Sequence, residues 1–174
     1  SALAGGKQTA ALTHSACGAS TRAGAGTAPA RLPVAKGAVR AMATGQAYGQ
    51  KEHQQKIEKF VVSGASKRGW TTWLTGATDP RVVAIAPMVI DMLNMKAQTD
   101  WAAKVYGKQS DQIRDYTELN LIDKMDDPAM IKLRGIVDPY SYRARYTNIP
   151  KLLLLGPNDP YWTVDSLRHY WNDL

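Results

Sequence analysis

One hexamer near the middle of the chain constrains the fold most. Phe60-Val61-Val62-Ser63 has the apolar, β-branched character of a buried strand end. Gly64-Ala65-Ser66-Lys67-Arg68-Gly69 then leads directly into Trp70-Thr71-Thr72-Trp73-Leu74, which reads as a helix. Strand, glycine, serine, glycine, helix is the local context of a nucleophile elbow, a tight turn that lifts a hydroxyl above the strand ends. The serine then stands at a helix N-terminus, where unpaired N–H groups and the helix dipole favour a developing oxyanion. In that geometry Ser66 can attack an acyl carbon, and the backbone N–H of Lys67 is a candidate oxyanion donor. The spacing departs from G-x-S-x-G, because Arg68 holds the fifth place and Gly69 comes one residue later. A structural alternative exists for the same turn: serine is a favoured helix N-cap.

A length of 174 residues suits one domain with its own core. Cys17 is the single cysteine, which excludes an internal disulfide and any multi-cysteine metal site. No apolar run is long enough to cross a bilayer. No basic stretch followed by an apolar core opens the chain, so no secretory signal is expected within it; the chain opens on Ser1, which leaves room for a leader removed earlier. The net charge of +7 is concentrated in residues 1–60, which hold eight Lys or Arg against two Glu. A basic flank can meet nucleic acid, but no aromatic interleaving accompanies it, so a solvated segment is the preferred reading and nucleic acid is not an expected partner. Residues 1–30 contain no Val, Ile, Phe, Tyr or Trp. Residues 1–31 are therefore expected to form a flexible Ala/Gly/Ser-rich segment, with the folded domain over 32–174.

Beyond the hexamer the pattern alternates. Residues 33–42 carry a weak helical stripe of Val34, Ala38, Val39 and Met42, and 46–56 read as loop. Strands are expected at Ile57–Val62, at Arg81–Ile90 with a break at Pro87, and at Lys151–Leu155. Helices are expected from Ser66 to near Gly76 and from Val164 to Leu174, with helical pieces between Trp101 and Met130 broken at Gly107 and Pro128. Near-continuous apolar strands alternating with helices imply an α/β fold with a mostly parallel sheet flanked by helices. Ligands of such sheets sit beyond the C-terminal strand ends. Those ends carry Ser66, Asp91 and Asp159.

Several separate blocks, in order, resemble the PhoPQ-activated pathogenicity-related proteins: 59–74 around the hexamer, Asp79-Pro80-Arg81-Val82, Ile90-Asp91-Met92-Leu93-Asn94-Met95 and Val137-Asp138-Pro139-Tyr140-Ser141-Tyr142-Arg143. The resemblance implies an α/β-hydrolase-like fold, present here in part, and a secreted, periplasmic or envelope location. It implies Ser66 as nucleophile and Asp159, in Gly156-Pro157-Asn158-Asp159, as the acid that fixes the histidine. Asp159 also suits a plain turn. Asp91 is the alternative acid, or a helix cap before Met92-Leu93. The base is the difficulty. His169 lies inside the expected last helix and reads as a surface residue there; His53 and His14 precede the elbow. The histidine is therefore expected from outside this chain, and the chain reads as the middle of a hydrolase domain lacking strands at both ends. The expected activity is serine hydrolysis of a small ester, amide or peptide, with no metal or cofactor. The expected partner is a second chain or further segments that complete the sheet. The alternative is a secreted binding, signalling or virulence-related factor without chemistry.

Overall fold

A computed structural model of the chain describes residues 31–174, with side chains from Val34 onward. The flexible segment expected over 1–31 lies outside the described residues apart from Arg31. The described chain divides into two compact units, one of Arg31–Ile90, Tyr142–Gly156 and Asp173–Leu174, the other of Asp91–Ser141 and Pro157–Asn172. It mixes helices and strands, with a small parallel sheet in the first unit, which is the α/β class expected.

The first unit begins with α1, Arg31–His53. The expected helix is shorter, over 33–42, with loop over 46–56. The helix continues because its small or apolar residues recur at sevens: Ala35, Met42 and Gly49 are buried, whereas Val34 is exposed. Gln46 in the supposed loop is held on two sides. Its Nε2 donates to the Ile57 carbonyl at 2.6 Å, and its Oε1 accepts from Arg81. Arg81 in turn pairs with the buried Asp79 carboxylate at 2.6 Å and donates to the Val39 carbonyl of α1.

Strand β1 covers Phe60–Ala65, α2 Lys67–Thr78 and β2 Val82–Met88. The strand starts three residues later than expected, since pairing begins at Phe60 opposite Val82 and the preceding Lys56 and Glu58 form an exposed ion pair. β1 and β2 run parallel. β2 passes through Pro87 without the expected break. Pairing continues on either side of it: the Leu154 N–H donates to the Pro87 carbonyl, and the Val89 N–H donates to the Leu154 carbonyl. The strand expected over Lys151–Leu155 does not form: the segment makes two isolated parallel bridges to β2, Ile85–Lys151 and Met88–Leu154, and the sheet of the described residues has two strands.

α2 lies against both strands. It carries four threonines, of which Thr71, Thr72 and Thr75 are buried, and each hydroxyl is satisfied locally by the carbonyl one turn back: Thr71 on Lys67, Thr72 on Arg68, Thr75 on Thr71 and Thr78 on Leu74. The helix does not stop at Gly76, as the sequence suggested. Gly76 is an interior contact, where an added Cβ would sit 2.8 Å from Ile85 Cγ2. Trp73 is fully buried; Tyr146 stands edge-on to it at 5.0 Å and donates its hydroxyl to the Trp73 carbonyl at 2.9 Å.

The second unit holds α3, Met95–Tyr106, the short α4, Arg114–Thr117, and α5, Pro128–Val137. Gly107 ends α3 in the left-handed conformation at φ 69°, and Pro128 starts α5, so both expected breaks fall at helix boundaries. The helix expected over Val164–Leu174 is instead two 3-10 turns, Ser166–His169 and Trp171–Asp173. Tertiary bonds take over there: Thr163 and Ser166 share a buried hydroxyl contact at 3.0 Å, and Gln98 donates to the Ser166 carbonyl. Leu93, Leu121, Met130, Leu133, Val137 and Tyr170 form the core of this unit.

Candidate functional site

The first unit contains the turn that the hexamer suggested. β1 ends at Ala65, α2 begins at Lys67, and Ser66 alone joins them with φ 54° and ψ −121°. A positive φ at a non-glycine residue is uncommon and costs on the order of 1–3 kcal/mol, so the surrounding structure must enforce it. Two main-chain bonds do so. The Ser66 N–H donates to the Met88 carbonyl at the end of β2 at 2.8 Å, and the Ser66 carbonyl accepts from Trp70 N–H at 3.0 Å. The Ser66 side chain is exposed and makes no capping hydrogen bond. An N-cap serine ordinarily sits in the β region and bonds the first-turn N–H groups. Ser66 does neither, so the cap alternative does not describe it.

The glycines explain the unusual spacing. A Cβ on Gly64 would stand 2.8 Å from both the carbonyl carbon and oxygen of Arg68. A Cβ on Gly69 would meet Ile90 Cγ2, the Gly64 carbonyl at 2.9 Å and the Met88 carbonyl at 3.0 Å. The main chain at position 68 therefore crosses above Gly64, and the next residue is the one that touches both strands. Arg68 can hold the fifth place because its side chain is exposed; glycine is required one residue later. The Lys67 N–H, at the first helical position, belongs to the group that an α-helix leaves without intrahelical acceptors. The Lys67 side chain is exposed. A shallow cleft of about 500 Å³ in the same unit lies against α1 and is lined by Gln46, Gln50, Lys56, Ile57 and Glu58, without Ser66. His53 is the last residue of α1, edge-on to Tyr48, and not in a loop as expected. His14 lies outside the described residues.

The second unit holds the two candidate acids. Asp91 is 4% exposed and accepts the Tyr170 hydroxyl at 2.5 Å. Burial pushes its carboxyl up to about 6; the bond from Tyr170 opposes the rise, and the negative charge of Asp159 adds to it. Tyr170 is displaced well above the usual phenol range, by burial first and then by the Asp91 charge. Asp91 is not the helix cap considered above. α3 starts at Met95, and the carboxylate serving that end is Asp138, which accepts from Met95 N–H at 2.8 Å, Tyr140 N–H at 2.9 Å and Asn94 N–H at 3.3 Å. Asp138 is buried, and burial raises its carboxyl against those three bonds.

Asp159 is half-buried, and its Oδ1 accepts the Tyr161 N–H at 2.8 Å, so the turn geometry suggested by Pro-Asn-Asp-Pro is present. His169 is not a surface helix residue. It lies half-buried in the 3-10 turn Ser166–His169, with its ring edge-on to Trp101 at 5.7 Å and its carbonyl accepting Asn94 Nδ2. Its Nε2 is buried without a hydrogen-bond partner. Burial and then the Arg168 charge depress its pKa, and the Asp165 charge opposes them. The reading of the sequence missed Tyr170 and Asp138. Asp138 stood in view beside Pro139, but nothing local ties it to the start of α3, 43 residues away. Among the described residues no group of three or more His, Cys, Asp or Glu could hold a metal ion, and no helix is long and apolar enough to cross a membrane.

Comparison with known proteins agrees with the sequence blocks. Autocrine proliferation repressor protein A of Dictyostelium discoideum is similar, with 43% identity over 145 residues. The match covers 83% of this chain, and the chain spans only 29% of that relative's length. No solved structure matches the chain. The description of the PhoPQ-activated pathogenicity-related proteins fits residues 10–174. By that match over nearly its whole length, the chain belongs to the PhoPQ-activated pathogenicity-related protein family.

Proposed function

We propose that this chain is part of an α/β-hydrolase-type serine hydrolase, acting on an ester, amide or peptide bond, with Ser66 as nucleophile and Asp159 as the acid of its triad. The observation that carries the reading is the backbone of Ser66: φ 54° between a parallel strand and a helix, with the hydroxyl exposed and unused as a cap. Such strain is retained where function needs it. The Lys67 N–H supplies one oxyanion donor, stabilising the charge that develops on the acyl oxygen as Ser66 Oγ adds to the carbon. The histidine that takes the Ser66 proton comes from outside this chain. Asp91 is the second choice of acid, and its burial against Tyr170 suits a structural pair better. A secreted, periplasmic or envelope setting is part of the same proposal.

Chemical rescue tests it. The chain is mixed with p-nitrophenyl acetate, and imidazole is titrated in to stand for the absent base. The expected result is imidazole-dependent ester cleavage that saturates and is lost in Ser66→Ala. A rate that rises linearly with imidazole and is the same in Ser66→Ala counts against the proposal, because free imidazole alone gives that.

A second reading has one observation in its favour. The amoebal relative is named for repressing proliferation, a role that does not require chemistry. On that reading the chain is a secreted binding or signalling factor on the same scaffold, and Ser66→Ala leaves its biological effect intact.

A further inference from the structure

Five non-glycine residues among the described residues have a positive φ: Gln54, Ser66, Val89, Asn94 and Asn120. Four have an ordinary account. Gln54 directly follows α1, where the left-handed conformation commonly ends a helix. Asparagine tolerates that region better than most side chains, which covers Asn94 and Asn120. Ser66 is the elbow. Val89 has no such account. It is the β-branched member of the set, and a β-branched side chain at φ 43° is a genuine outlier. Burial does not offset the strain: Pro87 and Ile90 are buried and Met88 is half-buried, whereas Val89 is 41% exposed. Its place is specific. Val89 follows the last register pair, Ala65 with Met88, on β2, as Ser66 does on β1. The peptide joining Met88 to Val89 is held from both sides. Its carbonyl accepts the Ser66 N–H at 2.8 Å, and its N–H donates to the Leu154 carbonyl at 2.7 Å. Those two bonds fix the backbone at Val89 and seat the elbow, and a glycine there could make both with less strain. An aliphatic side chain held unburied and against its backbone preference serves something that comes to meet it.

We infer that Val89 lines the acyl subsite beside Ser66, and that what it meets is an aliphatic acyl chain of the substrate. The inference rests on the reading of Ser66 as nucleophile. Ser66 and Val89 end neighbouring strands, at the edge where ligands of parallel sheets sit. An acyl carbon attacked by Ser66 Oγ carries its chain on the side away from the leaving group. Laid over the next strand end, that chain touches the isopropyl group of Val89. The contact takes apolar surface of both out of water, and each methylene of the chain adds to it. Val89 takes no part in making or breaking bonds; it selects among acyl groups.

The test measures kcat/KM of the whole chain for p-nitrophenyl acetate and p-nitrophenyl butyrate with imidazole present, after subtracting the rate of Ser66→Ala. In each turnover the Ser66 proton passes to imidazole, Oγ bonds the acyl carbon and p-nitrophenolate leaves; water then releases the carboxylic acid. The parent should prefer butyrate about tenfold, the effect of added methylenes against an apolar wall. Val89→Asn, which accepts the left-handed backbone, should bring that ratio near one. Val89→Thr, of the same shape with a hydroxyl for a methyl, should lower it in the same direction. Val83→Thr, exposed and earlier on β2, should leave it unchanged. A purely structural role for Val89 changes both esters together and leaves the ratio where it was. A ratio indifferent to Val89→Asn and Val89→Thr, or a parent that favours acetate, overturns the inference while the hydrolase reading stands. Absence of Ser66-dependent cleavage of both esters overturns the hydrolase reading and this inference with it.

Discussion

Replacing Ser66 by glycine should make the protein more stable. The residue is held at φ 54°, where a side chain is unfavourable by about 1–3 kcal/mol and glycine is not. Glycine gives back about 0.5–1 kcal/mol through its greater freedom in the unfolded chain. No capping hydrogen bond is lost with the hydroxyl. The net gain is therefore on the order of 1 kcal/mol, within a range of about 0–2.5 kcal/mol. Ser66→Ala provides the control, because alanine removes the hydroxyl and keeps the Cβ; it should lie within about 0.5 kcal/mol of the parent. Two compact units make a single melting temperature a poor readout. Urea dependence of amide exchange at Trp70, whose N–H bonds the Ser66 carbonyl at 3.0 Å, reports on the elbow itself. If Ser66→Gly matches Ser66→Ala or is less stable than the parent, the residue is unstrained and the elbow argument fails.

Three further outcomes follow from the same contacts. Gly69→Ala forces a methyl against two main-chain carbonyls that cannot swing aside, and should cost about 1–3 kcal/mol by the same exchange measurement. Asp91 carries a pH signature. Its folded carboxyl, at about 6, lies above the ordinary 3.8, so the native state binds the proton more tightly. The second unit should gain up to about 3 kcal/mol as pH falls from above 6 to about 4, and Asp91→Asn should flatten that slope in urea titrations followed by Trp fluorescence. Tyr170→Phe removes the bond that opposes the Asp91 shift and should move the midpoint of that pH dependence upward in the same titrations.

The legible parts of this chain were those written in neighbouring residues. The elbow is coded by Gly64, Ser66 and Gly69 within six positions, and the parallel sheet by short aliphatic runs. Lys151–Leu155 reads as a strand from its four leucines, but only Lys151 and Leu154 bridge to β2, so the expected strand is reduced to two isolated contacts. The C-terminal turns were not legible. Val164–Leu174 has acceptable helix propensity, but Ser166, Tyr170 and the His169 carbonyl are each claimed by residues 68 to 79 positions away, and those bonds outweigh local preference. The second half of α1 was hidden for the same kind of reason. Its polar Gln46 looks like loop until Arg81 and the Ile57 carbonyl are seen to hold it. Asp91 was visible as a strand-end carboxylate, while its partner Tyr170, 79 residues on, left no trace near it.

Phosphonylation tests the nucleophile most directly. Incubate the chain with a fluorophosphonate in the presence of imidazole, digest it and locate the adduct by mass spectrometry. A single adduct on Ser66, formed with loss of fluoride and absent from Ser66→Ala, is the predicted result. An unmodified Ser66 beside labelled serines elsewhere contradicts the account.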